Sequence, residues 1–380
     1  MLNPDRNAAL RYLFGNTVFP QFCAGPTPVE VGQCVRGLKD LGFAGVILGY
    51  APEVVMNENE ASGVQANKDE DHAKIMAEIE FWKKGTLATV DLADGGFVAL
   101  KFSGAGKQAL KHLLRRQAPS PELEKAIVEI CERAKARNVP LLFDAEQQAI
   151  QPAIDDWTIE FQRRYNNNPQ GRAVVYGTYQ AYLKSTPETL SRHLSIAQSE
   201  GFVLGVKLVR GAYLGTEPRH LIWSSKQETD NTYDGIAESL IKREYGELLR
   251  PGAENSTTPF PQVNLVLASH NRVSVERAQA LRNEQFRTGK PRIEMAYGQL
   301  YGMADDLSCD LVHRARYGDT DTSDLVEMPR VFKYVVWGTV GECMKYLVRR
   351  GQENKDAASR TQDTKRAMAK ELKRRLVGSS

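Results

Sequence analysis

The stretch Val331-Phe-Lys-Tyr334-Val-Val-Trp337, followed by Gly338-Thr-Val-Gly341 and then Tyr346-Leu-Val-Arg349-Arg350-Gly-Gln-Glu353-Asn354, reads as a strand, a short turn and a helix. Consecutive β-branched and aromatic residues suit a buried strand, and the glycine-bearing turn ends it. In the helix, Tyr346, Arg349, Arg350 and Glu353 fall at i, i+3, i+4 and i+7, so they share one face. An amphipathic helix ordinarily carries apolar side chains at those offsets. Here two guanidiniums and a carboxylate stand beside an aromatic ring. Guanidinium is planar, permanently charged and forks onto a carboxylate, so this face suits a small carboxylate-bearing substrate. A solvated charged stripe is the competing reading of the same spacing. The strand argues against it, because it sets the helix at a strand's C-terminal end.

Seven more strand-like runs precede this one: 43–50, 97–103, 139–146, 173–180, 202–210, 262–270 and 293–300. Helical patterns lie between them, among them 29–41, 121–136 and 187–198. Strands alternating with helices imply parallel pairing, and eight units predict an α/β fold, a closed TIM-like (β/α)8 barrel. The runner-up is a doubly wound open sheet, but no Gly-x-Gly-x-x-Gly fingerprint follows an early strand. Residues 1–354 are expected to form this single catalytic domain, with an N-terminal helical segment. Residues 57–96 read as an insertion or long first crossover, and 355–380 as a basic tail whose narrow apolar stripe leaves peripheral membrane contact as a secondary reading.

Composition narrows the function. A chain of 380 residues, 42% hydrophobic and 26% charged, can bury a large core, and its formal charge of +3 gives no case for nucleic acid. No apolar run is long enough to span a bilayer. The five cysteines are scattered without a close pair, so neither a disulfide framework nor a metal site is expected. Small-molecule chemistry is what remains.

A barrel's chemistry sits at the C-terminal ends of its strands. Those ends carry Lys101, Asp144 and Glu146, Gln180, Lys207 and Arg210, His270 and Asn271, and Gln299. Any one of these could be a satisfied polar residue; six strand ends in agreement point to a site. A strand-end lysine, Lys101 or Lys207, would also be compatible with a Schiff-base lyase, and the colour of the protein separates that reading from a flavoenzyme.

The motifs Phe143-Asp144-Ala-Glu146, Val206-Lys207-Leu-Val-Arg210-Gly211-Ala212-Tyr213, Ser269-His270-Asn271, Gln299-Leu-Tyr-Gly302-Met303 and Tyr346-Leu-Val-Arg349-Arg350-x-x-Glu353-Asn354 resemble, in this order, the FAD-dependent proline dehydrogenase family, most closely its fungal mitochondrial members. The resemblance covers about Asn3 to Asn354. It implies oxidation of L-proline to 1-pyrroline-5-carboxylate by hydride transfer to FAD, the first step of proline catabolism. An oxidase of a substituted proline is the variant reading. By the same resemblance Arg349, Arg350 and Lys101 hold the substrate carboxylate, Tyr334 and Tyr346 pack on its ring, and Asp144 lies beside Lys101. Lys101, Asp144, Lys207 and Arg210 form the catalytic set. The flavin lies near Gln180, Lys207, Arg210 and Gln299, with Gly211, Ala212, His270, Asn271 and Glu353 around its other parts. Lys207 and Arg210 invert the arginine-then-lysine order of most bacterial members. The resemblance further implies a quinone-type acceptor and a mitochondrial address, at the inner membrane or on the matrix side. The resemblance begins almost at Met1 and leaves no room for a transit segment in this chain, so either a presequence has been removed or the protein is not imported and a cytoplasmic address is the alternative.

Overall fold

The computed structural model describes residues 4–52, 72–252, 259–317 and 327–356, with side chains up to Gly351. The side chain of Glu353, the tail beyond Asp356 and residues 57–71 of the expected insertion lie outside the described residues. Eight strands, β1 (Gly45–Tyr50), β2 (Phe97–Leu100), β3 (Leu141–Phe143), β4 (Val175–Gln180), β5 (Leu204–Val209), β6 (Val263–Ala268), β7 (Glu294–Leu300) and β8 (Val331–Trp337), close into one barrel in chain order. Every pair is parallel, including the closing pair of β1 and β8, in which Ile47 stands opposite Tyr334. The eight-strand expectation is met, and the open sheet is excluded.

Side chains fill the barrel. Phe97 meets Phe332 edge-on at 5.0 Å and Tyr176 at 5.9 Å, with Ile47, Leu142 and Val266 in the same buried cluster. At Gly205 a Cβ would lie 2.4 Å from the Val175 carbonyl oxygen, so only glycine lets β5 approach β4 there.

The helices form as their ends and faces dictate. In Pro121–Ala136, Ser120 accepts from the Leu123 N–H, Pro121 takes the first turn, Glu122 and Glu124 start the helix, and Arg133 and Lys135 end it. Its buried face is Leu123, Ala126, Ile127, Ile130, Cys131 and Ala134, the spacing of one helical stripe. The described part of the expected insertion is helix His72–Leu92, which packs on Pro121–Ala136 and buries Ile79 and Trp82.

The two ends of the described chain meet. Asp5 accepts from the Gly341 N–H and the Thr339 hydroxyl, both at 3.0 Å, setting a carboxylate at the positive end of helix Val340–Asp356. Thr339 and Glu342 add a reciprocal capping pair. Phe19, Phe22, Cys343, Tyr346 and Leu347 share one buried cluster beneath that helix.

Between β4 and helix Thr186–Glu200, His193 bonds the Tyr179 hydroxyl at 2.7 Å, and burial, with the nearby Arg192, pushes its pKa down to about 3. In the unfolded chain the ring titrates near about 6.5, so the unfolded state takes up its proton first as pH falls. His193 therefore lends full stability above that pH and loses it progressively down to about pH 3. Asp155, pushed up to about 6 by burial, acts in the opposite sense and is unchanged by substitution at His193. Thermal melts of His193→Gln should show a shallower fall in Tm between about pH 6.5 and 4 than the parent protein. Parallel Tm profiles would remove His193 as a source of acid lability.

Candidate active site

The centre of the site is Asp144, the first residue beyond β3, 5% exposed. Its Oδ1 accepts from Lys207 Nζ at 2.6 Å, and its Oδ2 from Lys101 Nζ at 3.0 Å and the Tyr334 hydroxyl at 2.9 Å. One carboxylate thus joins the ends of β2, β3 and β5 to β8. Burial opposes its charge, but Lys101 and Lys207 outweigh burial and hold its pKa well below the usual carboxylate range. Burial and the repulsion of Lys101 lower the Lys207 pKa against the pull of Asp144. Tyr334 is held as a neutral phenol, its pKa raised by burial and then by Asp144, and Lys207 Nζ lies 5.0 Å from its ring centre.

Arg349 and Arg350 come from the last helix. The Arg350 guanidinium lies 4.9 Å from the centre of the Tyr346 ring, and Arg349 5.5 Å from that of Tyr213. Tyr334 packs on the cluster that holds Tyr346. Arg350 is 3% exposed, which dismisses the solvated-stripe reading for that residue.

A second group lies along the ends of β4 to β6. The Gln180 amide donates to the Glu146 carbonyl at 3.1 Å and accepts from the Ala212 N–H at 3.3 Å. Gly211 takes φ +143°, and a Cβ there would sit 2.2 Å from the Tyr182 ring, so only glycine permits this turn. Arg210 pairs with Asp230 and bonds the hydroxyls of Ser269 at 3.2 Å and Ser274 at 2.7 Å. His270 Nε2 accepts from the Leu300 N–H at 3.0 Å, which assigns the ring proton to Nδ1. Asn271 caps helix Arg272–Arg287 through Ser274.

Two placements qualify the picture of strand ends that all face the barrel mouth. Gln299 does not open onto the barrel mouth: it is 1% exposed, and its amide faces the Ser269 carbonyl at 3.4 Å and the Ser308 hydroxyl at 3.3 Å. Strand alternation is the reason, since neighbouring Gly298 faces Ile47 inside the barrel and turns Gln299 outward. The two basic residues of the β5 motif also part company. Lys207 joins Asp144 inside the barrel, while Arg210, beyond the strand's end, turns to helix Lys226–Lys242. Sequence reading missed Tyr213, although it ends a quoted motif, and Asp230, which no local pattern marks.

A family model for proline dehydrogenase matches residues 31–363. The chain belongs to the proline dehydrogenase family. It is 29% identical over 97% of its length to a probable mitochondrial proline dehydrogenase of Schizosaccharomyces pombe, covering 81% of that protein. It is 28% identical over 95% of its length to hydroxyproline dehydrogenase of Bos taurus, again covering 81% of the relative. The fold matches proline utilization A from Bdellovibrio bacteriovorus inactivated by N-propargylglycine, with a TM-score of 0.61 at 18% identity over 91% of this chain. The chain spans about a third of that larger protein, 33%. Family membership makes the chain an oxidoreductase and replaces the Schiff-base lyase reading. FAD is the family's cofactor, and the donor set fits it: the Gln180 amide, a part-exposed Arg210 guanidinium and an imidazole protonated on Nδ1 suit the acceptor-rich edge and phosphates of a flavin dinucleotide.

Removing Asp144 strands a buried lysine. Asp144→Ala should destabilise the protein by about 3–5 kcal/mol, and Lys207→Met in that background should restore part of the loss. Urea unfolding of the two single variants and the double variant measures the coupling; simple additivity would show that the two groups do not depend on each other.

Proposed function

We propose that this chain oxidises L-proline to 1-pyrroline-5-carboxylate, the first step of proline catabolism. The observation that carries the reading is that Tyr334, bonded to Asp144, packs on the cluster whose Tyr346 backs the Arg350 guanidinium, which links the arginine helix to the Asp144 group. Arg349 and Arg350 hold the substrate carboxylate, with Lys101 as a further cation. Tyr346, Tyr334 and Tyr213 wall the ring, so that the substrate is fixed by charge at one end and by shape at the other. Asp144 and Lys207 keep Tyr334 and Lys101 in place while remaining buried themselves. Gln180, Arg210, His270, Asn271 and the backbone at Gly211 and Ala212 would hold the cofactor; Glu353 joins them on the motif alone. FAD, when bound, supplies the electron sink that no side chain offers, accepting a hydride from the substrate carbon.

Likeness to a hydroxyproline dehydrogenase gives a second reading, a substituted proline as substrate. Tyr334 favours the unsubstituted ring, because its phenol is committed to Asp144 and closely backed by β1: a Cβ at Gly49 would lie 3.1 Å from its hydroxyl. The proposal extends to a mitochondrial address at the inner membrane and to a quinone acceptor. Support comes from the relatives' mitochondrial names and from helix Ala8–Gly15, where Tyr12 and Leu13 are 75% and 55% exposed. No helix among the described residues is long and apolar enough to cross a membrane.

Anaerobic L-proline should bleach the flavin band of the purified protein. A band that resists proline and yields to 4-hydroxyproline would transfer the assignment to the substituted ring. Arg350→Ala should keep its flavin and lose about 2–5 kcal/mol of substrate affinity, read as a raised KM. Tyr334→Ser should move the proline-to-hydroxyproline ratio of kcat/KM toward hydroxyproline; a stable variant with the parent ratio would make Tyr334 a packing residue only.

A further inference from the structure

We propose that Ser103 and Glu146 form a positioning pair that keeps Lys101 on Asp144 and so presents its ammonium to the substrate. This rests on the reading of Lys101 as a substrate-side cation. The need for such a pair follows from how short the strands are. β2 ends at Leu100 and β3 at Phe143, and their last ladder bond runs from the Asp144 N–H to the Leu100 carbonyl at 2.9 Å. Lys101 therefore lies just beyond the sheet.

What holds the two strand ends together past that point is side-chain chemistry with a period of two. Lys101 meets Asp144, and two residues further along both chains Ser103 meets Glu146. The Ser103 N–H donates to Glu146 Oε1 at 3.1 Å, and its hydroxyl donates to Oε2. From the outer ring, Trp82 Nε1 donates to the Lys101 carbonyl at 3.0 Å. The segment is thus pinned on both sides of Phe102.

Glu146 is itself fixed from elsewhere. Its N–H donates to Gln151 Oε1 at 2.8 Å, and its carbonyl accepts from Gln180. Ser103 is fully buried and Glu146 is 2% exposed. Burying a carboxylate is costly in general, and the burial of Glu146 is matched by hydrogen bonds to one residue. The polar pair supplies direction: two bonds to one residue fix how the backbone leaves β2, and hence where the lysine stem starts.

The test is Ser103→Ala, alone and with Lys101→Met, measured with whichever of L-proline or 4-hydroxyproline reduces the parent flavin. Ser103→Ala should raise KM roughly five- to tenfold with kcat within about twofold and the flavin spectrum unchanged. In the Lys101→Met background it should add nothing, because the residue it positions is gone. Glu146→Gln, which keeps one acceptor, should fall between parent and Ser103→Ala. Amide hydrogen exchange gives a readout independent of turnover, and the amides of 102–106 should exchange faster in Ser103→Ala. The same KM penalty with and without Lys101, or a lowered Tm with KM and exchange unmoved, would overturn the pair as a positioning device. A parent flavin that neither substrate reduces would instead sink the functional reading, while the exchange result still decides whether the pair holds the segment.

Discussion

Asp144 is the constraint on which the rest of the site depends. A carboxylate inside a barrel is expensive to bury, and two ammoniums and a phenol from three other strands offset that cost only if all four strands keep their register. The consequence runs both ways. The barrel orients the cluster, and the cluster joins the ends of β2, β3 and β5 to β8, where three-residue pairings such as β2 with β3 leave little backbone ladder. Lys101 and Tyr334 are held on one carboxylate for this reason.

The arginine pair depends on a different part of the molecule. Helix Val340–Asp356 follows the closing strand, and the N-terminal segment holds its first turn through Asp5 and packs Phe19 and Phe22 into the cluster beneath it. Cys23 pairs as an isolated bridge with Val336, extending the sheet beside the strand that feeds the helix. The first residues of the chain therefore help aim side chains more than three hundred positions away.

Much of this was legible in the sequence because periodicity is local. Each strand run and the stripe of helix Pro121–Ala136 follow from side-chain order alone, and the boundaries fall where Ser, Pro and Gly punctuate the chain. The described part of residues 57–96 is harder to read. Helix His72–Leu92 packs its own Trp82 against the ring, while its sequence lacks a clean apolar stripe. Site residues on strand ends are recognisable as polar breaks in apolar runs, as Lys101, Asp144, Gln180 and Lys207 are.

What the sequence determined by itself was the number of units, their parallel order, the end of the barrel that carries the chemistry, and the arginine face of the last helix. The tertiary structure alone decided which polar ends meet. A motif cannot say that Lys207 turns to Asp144 while Arg210, three residues later, turns to Asp230, because strand alternation governs only the first and the course of the chain after β5 governs the second. Nor can it say that Gln299 faces the outer wall, since inside and outside are fixed only once β7 is paired on both edges. Ser103 and Glu146 are 43 positions apart, and their contact exists only because β2 and β3 lie side by side. Local residue order specifies elements through short-range sterics and hydrogen bonding. Partnerships between distant charges appear only when the closed sheet brings their strands together and excludes the water that would otherwise solvate them.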